Sequence, residues 1–212
     1  MCFKKHPRLT VFLGLLCCLL IGAFVAHKSS LARHLDPTQF HGTFLEEPRS
    51  FKPFSLQSSE NQPLTNDNLQ GQWTFVFFGF THCGYICPTS MAELNKMYQL
   101  IEKNETRPLP KVLMISVDPE RDTLEKLHQY VKGFNPNFYG ATGTETNLKQ
   151  LTEEMGIAYV KVALPNTDPK NYDIQHSGAV ILINPEGKLQ AFFTPPLQAD
   201  MLAKDYEKAV AA

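Results

Sequence analysis

Apolar and polar positions divide the chain into an uncharged stretch, a polar interval, and a region where apolar runs alternate with amphipathic ones. Residues 9–26 (LTVFLGLLCCLLIGAFVA) carry no charge over 18 positions. Further on, Trp73–Phe80 (WTFVFFGF), Lys111–Val117 (KVLMISV) and Gly178–Ile183 (GAVILI) are near-continuous apolar runs. That pattern predicts strands buried on both faces. Phe54-Ser55-Leu56 followed by Asn61-Gln62-Pro63 reads as a short strand and turn, and Ala158–Ala163 alternates like a strand. Pro88 opens a helix running to about Lys103, with Met91, Leu94, Met97, Tyr98 and Ile101 on one face. Thr123–Lys132 is helical by periodicity with Asp122 placed to cap it. A third helix fits Glu145–Met155, stopped by Gly156. Asn184-Pro185-Glu186-Gly187 predicts a hairpin turn into Lys188–Thr194, and a last helix covers about Leu197–Val210. Strands alternating with helices, closed by a hairpin and a helix, give an α/β sandwich around a central mixed sheet.

The uncharged stretch has its own logic. As a helix, residues 9–26 would span roughly 27 Å, close to the hydrocarbon thickness of a bilayer. Lys4, Lys5 and Arg8 precede it, so the positive-inside rule keeps that end in the cytoplasm and exports the rest. It is longer than an ordinary signal-peptide core, which favours a retained transmembrane anchor over a cleaved signal segment. Ser30 and Ala32 are small residues that a peptidase could use, whereas bulky Leu16 before Cys17 disfavours a lipoprotein signal. The expected organisation is a basic cytoplasmic terminus (1–8), the anchor or signal segment (9–26), a polar tether (27–50) and one α/β domain (51–212).

Charge narrows the choice of partners. With 20 Lys+Arg against 21 Asp+Glu the formal net charge is −1, without the basic excess of a nucleic-acid binder. Cysteine usage narrows the chemistry. Of five cysteines, Cys2, Cys17 and Cys18 lie at or within the N-terminal segment, which leaves Cys83 and Cys87 for the domain. A disulfide-stapled scaffold would spread more pairs over the fold.

Cys83 and Cys87 stand in THCGYICPTS, between a buried strand and a helix start. Open α/β sheets place ligands at the carboxyl ends of their strands. Unpaired N–H groups at a helix start favour thiolate, the form that attacks disulfides and binds metals. Cβ atoms four residues apart on a helical turn lie about 5–6 Å from each other, wider than the roughly 3.5–4.5 Å a disulfide prefers. A C-x₃-C spacing therefore suits a two-thiolate metal clamp, while a small backbone adjustment still permits oxidation. Soft thiolates select Cu(I), zinc or iron–sulfur clusters. Clusters generally need four cysteines and structural zinc needs four ligands, so copper, which accepts three, leads. A small structural disulfide is the plain alternative.

A third ligand has to come from elsewhere in the fold. His6, His27, His34 and His41 fall before the domain, and His128 is expected on an exposed helix face. His82 adjoins Cys83, but alternation at a strand end turns its side chain the other way, towards packing or capping. His176 precedes GAVILI and so sits at the mouth of the sheet. A single histidine before a strand is, on its own, more often not a ligand.

Three separated segments, FFGFTHCGYICPTSMAEL, SVDPERDT and YDIQHSGAVILINPEG, resemble the Sco/SenC family of copper proteins in the family's order. The resemblance covers roughly residues 50–210 and implies a thioredoxin-like fold. It also implies copper as the bound metal, with Cys83, Cys87 and His176 as its ligands. The implied task is delivery of copper to the dinuclear site of cytochrome c oxidase subunit II, or reduction of the cysteines of that site. The expected location is the bacterial inner membrane, with the domain on its periplasmic face. Asp118 matches a family acid near the site, its plain alternative being a turn residue before Pro119. Arg121 and Asp122 are expected to serve in capping and surface pairing. Two departures stand out. The family commonly carries Pro-Asp where this chain has Gly84-Tyr85, and Asp where it has Gln175, so two carboxylates near the site are absent.

Two functions remain open at this level. One is a metallochaperone holding Cu(I) on Cys83, Cys87 and His176. The other is a thiol–disulfide oxidoreductase in which Cys83 attacks and Cys87 resolves. A peroxidase of the same fold class fits less well, because no activated cysteine with Thr and Arg beside it is evident.

Overall fold

The computed structural model describes residues 40–104, 107–165 and 171–211. Of these, residues 40–207 belong to one compact unit. The uncharged stretch 9–26 lies outside the described residues. Among those described, no helix is long and apolar enough to cross a membrane.

The chain alternates as its pattern requires. The strands are β1 (Thr43–Arg49), β2 (Ser55–Ser58), β3 (Pro63–Thr65), β4 (Thr74–Gly79), β5 (Lys111–Ser116) and β6 (Phe138–Thr142). They continue with β7 (Tyr159–Ala163), β8 (Tyr172–His176), β9 (Val180–Ile183) and β10 (Leu189–Phe193). The helices are α1 (Ile86–Lys103), α2 (Leu124–Phe134), α3 (Glu145–Met155) and α4 (Ala199–Ala211), with a 3₁₀ turn at Asn66–Leu69. Among the described residues, eight strands form one mixed sheet in the order β1-β10-β9-β4-β5-β6-β2-β3. β4, β5 and β6 run parallel, and β9 joins β4 antiparallel. β7 and β8 stand apart as an antiparallel hairpin.

The centre of the sheet is where the sequence is most apolar. Every residue of β4 is buried, and so are Val112 to Ser116 of β5. Phe75, Val76, Phe77 and Phe78 are each almost wholly removed from water, worth about 1.5–3 kcal/mol per large side chain. The predicted face of α1 is buried at all five positions, Met91, Leu94, Met97, Tyr98 and Ile101.

Four strands escape the periodicity reading, the three-residue β3 among them because its Pro63 reads as part of a turn. β1 falls inside the expected tether, and its TFLEEPR sequence hides the pattern with two glutamates and a proline. Among the described residues it is an edge strand paired only with β10, where charge and proline are tolerated and discourage pairing with other chains. β6 (FYGAT) reads as loop because glycine interrupts it. The glycine allows close packing there: a Cβ at residue 140 would stand 3.2 Å from the Leu127 Cβ of α2, tight enough that the helix would have to give slightly. β8 does alternate, with Ile174 buried between exposed Asp173 and Gln175. The cap of α2 also differs from expectation. Thr123 Oγ1 accepts from the Lys126 N–H, while Asp122 turns inward.

Candidate metal centre

The two cysteines approach from different elements. α1 begins two residues earlier than Pro88 suggests, so Cys87 lies in its first turn and Pro88 falls where a missing N–H costs nothing. Cys83 lies in the loop between β4 and α1, where its N–H donates to Phe80 O at 3.3 Å. Cys87 is fully buried and Cys83 half-buried, and both are free thiols. Gly79 ends β4 beneath them. A Cβ there would stand 2.8 Å from the Cys87 Sγ, so only glycine lets the helix start close onto the strand end.

His176 arrives from β8. Its Nε2 is 3.3 Å from the Cys87 Sγ, and its Nδ1 accepts from the Gly178 N–H at 3.3 Å. The imidazole stands edge-on to Phe77 and Phe80, with ring centroids 6.0 and 5.8 Å away. One ligand atom from each of Cys83, Cys87 and His176 lies within 4.8 Å of the others. The structure thus brings together the three residues singled out in sequence. Two sulfurs and one imidazole nitrogen make a soft donor set of the type that suits copper or zinc.

The sulfurs divide one proton unequally. Cys83 accepts a hydrogen bond from the Cys87 thiol, and the Cys87 N–H in the first turn of α1 points at it from 3.4 Å. These contacts, the first above all, hold the Cys83 thiol far below the usual range, down to about 3. The same bond, with burial, pushes the Cys87 thiol up. The reduced pair is therefore an accessible thiolate at Cys83 beside a buried thiol at Cys87. Alkylation of the reduced protein by iodoacetamide is expected at Cys83 alone, with a rate nearly flat between about pH 8 and pH 5. An ordinary thiol slows about tenfold per unit below its pKa near 8.5. A tenfold decline per unit at Cys83, read by peptide mass, would contradict this picture.

Other expected residues resolve differently. His82 is exposed, 3.2 Å from Thr81 Oγ1 and 3.6 Å from the Asp122 carboxylate, and does not join the cluster. His128 is an exposed partner of Glu60. Tyr85 is 80% exposed, Gly84 has open space around it, and Gln175 faces solvent opposite Val160.

The SVDPERDT segment corrects an expectation. Asp122, expected in capping and surface pairing, is buried, and with the equally buried Asp118 it anchors a hydrogen-bonded turn. Asp122 accepts from the Thr81 N–H, the Thr81 hydroxyl and the Ser116 hydroxyl. Asp118 pairs with Arg121 and accepts from the Tyr172 hydroxyl at 2.6 Å. Burial and that carboxylate push the Tyr172 phenol up, so it remains a donor. The signal for this network is two acids four apart, immediately after a buried strand. Phe77 and Phe80, which flank His176, were legible only as strand residues.

Gly178 closes the turn after His176 with φ +65°, and a Cβ there would stand 2.5 Å from Ile86 Cδ1 and 3.0 Å from Pro195 Cγ. Gly178→Ala is expected to cost about 1–3 kcal/mol in urea unfolding, since alanine is strained at positive φ. An unchanged midpoint and slope would contradict that placement.

The fold and this site define a class, a thioredoxin-like domain with a two-cysteine, one-histidine cluster at the carboxyl end of its central strand. Residues 44–211 match the SCO1/SenC family, and the chain belongs to it. Protein SCO1 homolog 1, mitochondrial, of Arabidopsis thaliana is 35% identical over 158 residues, 74% of this chain and 46% of that protein. The chain thus spans about half the length of that relative. A SCO2-like protein of Rickettsia prowazekii is 36% identical over 141 residues, 66% of this chain and 67% of that protein. The crystal structure of Arabidopsis thaliana ScoI with copper bound superposes with a TM-score of 0.69 at 33% identity, covering 75% of this chain and 97% of that one.

Proposed function

We propose that this chain is a copper-transfer protein that holds one Cu(I) on Cys83, Cys87 and His176 and passes it to a copper-accepting partner. The observation that carries the reading is the convergence of two sulfurs and one imidazole nitrogen within 4.8 Å, drawn from three parts of the chain. The copper-bound state of a relative with the same fold supports it. Because the Cys83 thiolate is already formed, binding has to remove a proton only from Cys87. Three ligands leave copper short of four-coordination, so a partner's thiolate can enter and displace the protein's ligands one at a time.

In this reading the recipient is the dinuclear copper site of cytochrome c oxidase subunit II or another copper-accepting protein. Residues 9–26 anchor the chain in the bacterial inner membrane with the domain on the periplasmic side. An anchor of this kind raises the effective concentration at a membrane-bound recipient without extra interface.

A second reading rests on the unequal thiols. A half-buried Cys83 thiolate beside a buried Cys87 is the arrangement of an attacking and a resolving cysteine. One substitution separates the two. His176→Ala is expected to weaken Cu(I) binding by more than about tenfold, measured against a competing chelator, and to leave disulfide exchange with a model substrate within a few-fold. Collapse of exchange with copper affinity intact would reverse the assignment in favour of the oxidoreductase.

A further inference from the structure

We propose that Arg121 is the positioning residue for His176, fastening the β7–β8 hairpin to the turn that also holds the Cys83 loop. The proposal rests on the reading of Cys83, Cys87 and His176 as the copper ligands.

His176 is not carried by the main sheet. It is the last residue of β8, and among the described residues β8 pairs only with β7. An isolated two-stranded hairpin is marginal in water, so the imidazole is only as fixed as whatever ties this hairpin down. Lys161 of β7 pairs with Glu120 and Glu145, and Ile174 of β8 is buried, but the contacts at the start of β8 centre on one side chain. Arg121 Nη1 donates to the Tyr172 carbonyl at the start of β8 at 2.8 Å, and the guanidinium lies 3.8 Å from the centre of the Tyr172 ring. Its Nε pairs with Asp118, a fully buried carboxylate. Asp118 in turn accepts from the Tyr172 hydroxyl, closing a loop of contacts between turn and strand.

Arg121 also reaches the far end of the strand. Its guanidinium is 5.8 Å from the centre of the Phe80 ring, the ring that His176 meets edge-on at 5.8 Å. One cation thus holds the beginning of β8 by hydrogen bond and stacking, and touches the phenyl group against which the imidazole rests. On the opposite side, Ser116 Oγ accepts from the Asp118 N–H and donates to Asp122. Asp122 holds both the N–H and the hydroxyl of Thr81, two residues before Cys83. The thiolate loop and the imidazole strand therefore hang from a single turn, 116–122.

The chemistry requires arginine. A planar guanidinium can donate along its edge to a carboxylate and a carbonyl while its face stacks on an aromatic ring. The compact ammonium of lysine can satisfy the carboxylate but cannot do all three. The Arg121–Asp118 pair could instead be a fastener of the fold as a whole, a role in which copper binding would have no special share.

The test is a double-mutant cycle on the full chain, read as Cu(I) affinity by chelator competition in wild type, Arg121→Lys, His176→Ala and the double variant. X-ray absorption of the copper-loaded single variant reports the imidazole nitrogen. Arg121→Lys is expected to weaken copper about ten- to a hundredfold, to lose the nitrogen signature, and to add little to His176→Ala. Should Arg121→Lys fail to fold, Tyr172→Leu carries the test, because it keeps the Arg121–Asp118 pair and removes the ring and hydroxyl by which β8 reaches that pair, leaving only the carbonyl contact. The same pattern is expected of it. A retained nitrogen signature at wild-type affinity overturns the proposal. So does a loss that adds in full to that of His176→Ala, since Arg121 would then act on the fold and not through the imidazole. Wild-type affinity in His176→Ala alone contradicts the ligand assignment, and the proposal falls with it.

Discussion

Cys87→Ser is expected to reduce Cu(I) affinity by well over a hundredfold while leaving the protein folded. Changes around a metal ligand typically cost 10–100-fold, and removal of a thiolate ligand itself should exceed that. Cys87 is buried against the end of β4, with Gly79 beneath it and the His176 Nε2 at 3.3 Å. Serine fits the space but offers a hard oxygen that soft Cu(I) disfavours. The same substitution removes the thiol that donates to Cys83, so the Cys83 thiol should return toward its ordinary range. Competition with a Cu(I) chelator and a pH series of alkylation rates read the two effects independently. Copper affinity within tenfold of wild type would exclude Cys87 as a ligand.

Asp122→Ala is expected to cost about 3 kcal/mol of stability, the second large effect. Its carboxylate is buried and accepts from three donors, the Thr81 N–H, the Thr81 hydroxyl and the Ser116 hydroxyl. Removing an acceptor leaves buried donors unsatisfied at about 1–3 kcal/mol each, partly recovered where a hydroxyl can rotate to another partner. Asp122→Asn keeps the volume and one acceptor, so its loss should be smaller. Urea unfolding with an unchanged slope measures both. A loss below about 1 kcal/mol for Asp122→Ala would mean that the turn does not depend on this carboxylate.

What was legible in the sequence follows from how strongly burial writes itself into pattern. β4, β5 and β9 lie at the middle of the sheet, where both faces exclude water, and their runs could be read directly. α3 was equally clear, because Gly156 ends it in the left-handed conformation that glycine adopts freely. β1 could not be read, since among the described residues only one of its edges pairs, an edge position that tolerates Glu46, Glu47 and Pro48. The cysteine pair was visible because its spacing has few structural uses, and His176 was visible because a resemblance singled it out.

The supporting network was less visible for a physical reason. Asp118, Arg121 and Asp122 look like surface residues by type. The buried places of Asp118 and Asp122, and the half-buried one of Arg121, go with contacts to Thr81 and Tyr172, 41 and 51 or more positions away. Neighbours within a few residues suggest capping and surface pairing for Arg121 and Asp122, and Asp118 stands out only by the resemblance or as a turn residue. A buried carboxylate with distant partners is recognisable only once both sides of the fold are assembled.

The most direct test of the central claim is X-ray absorption at the copper edge of the reduced, Cu(I)-loaded protein, with metal content measured on the same sample. One copper per chain, with two sulfur neighbours and one imidazole nitrogen, is the expected result. The nitrogen should vanish in His176→Ala and one sulfur in Cys83→Ser. Copper bound by sulfur alone in the wild type, or shared between chains, would contradict the three-ligand site and leave the cysteines to thiol chemistry.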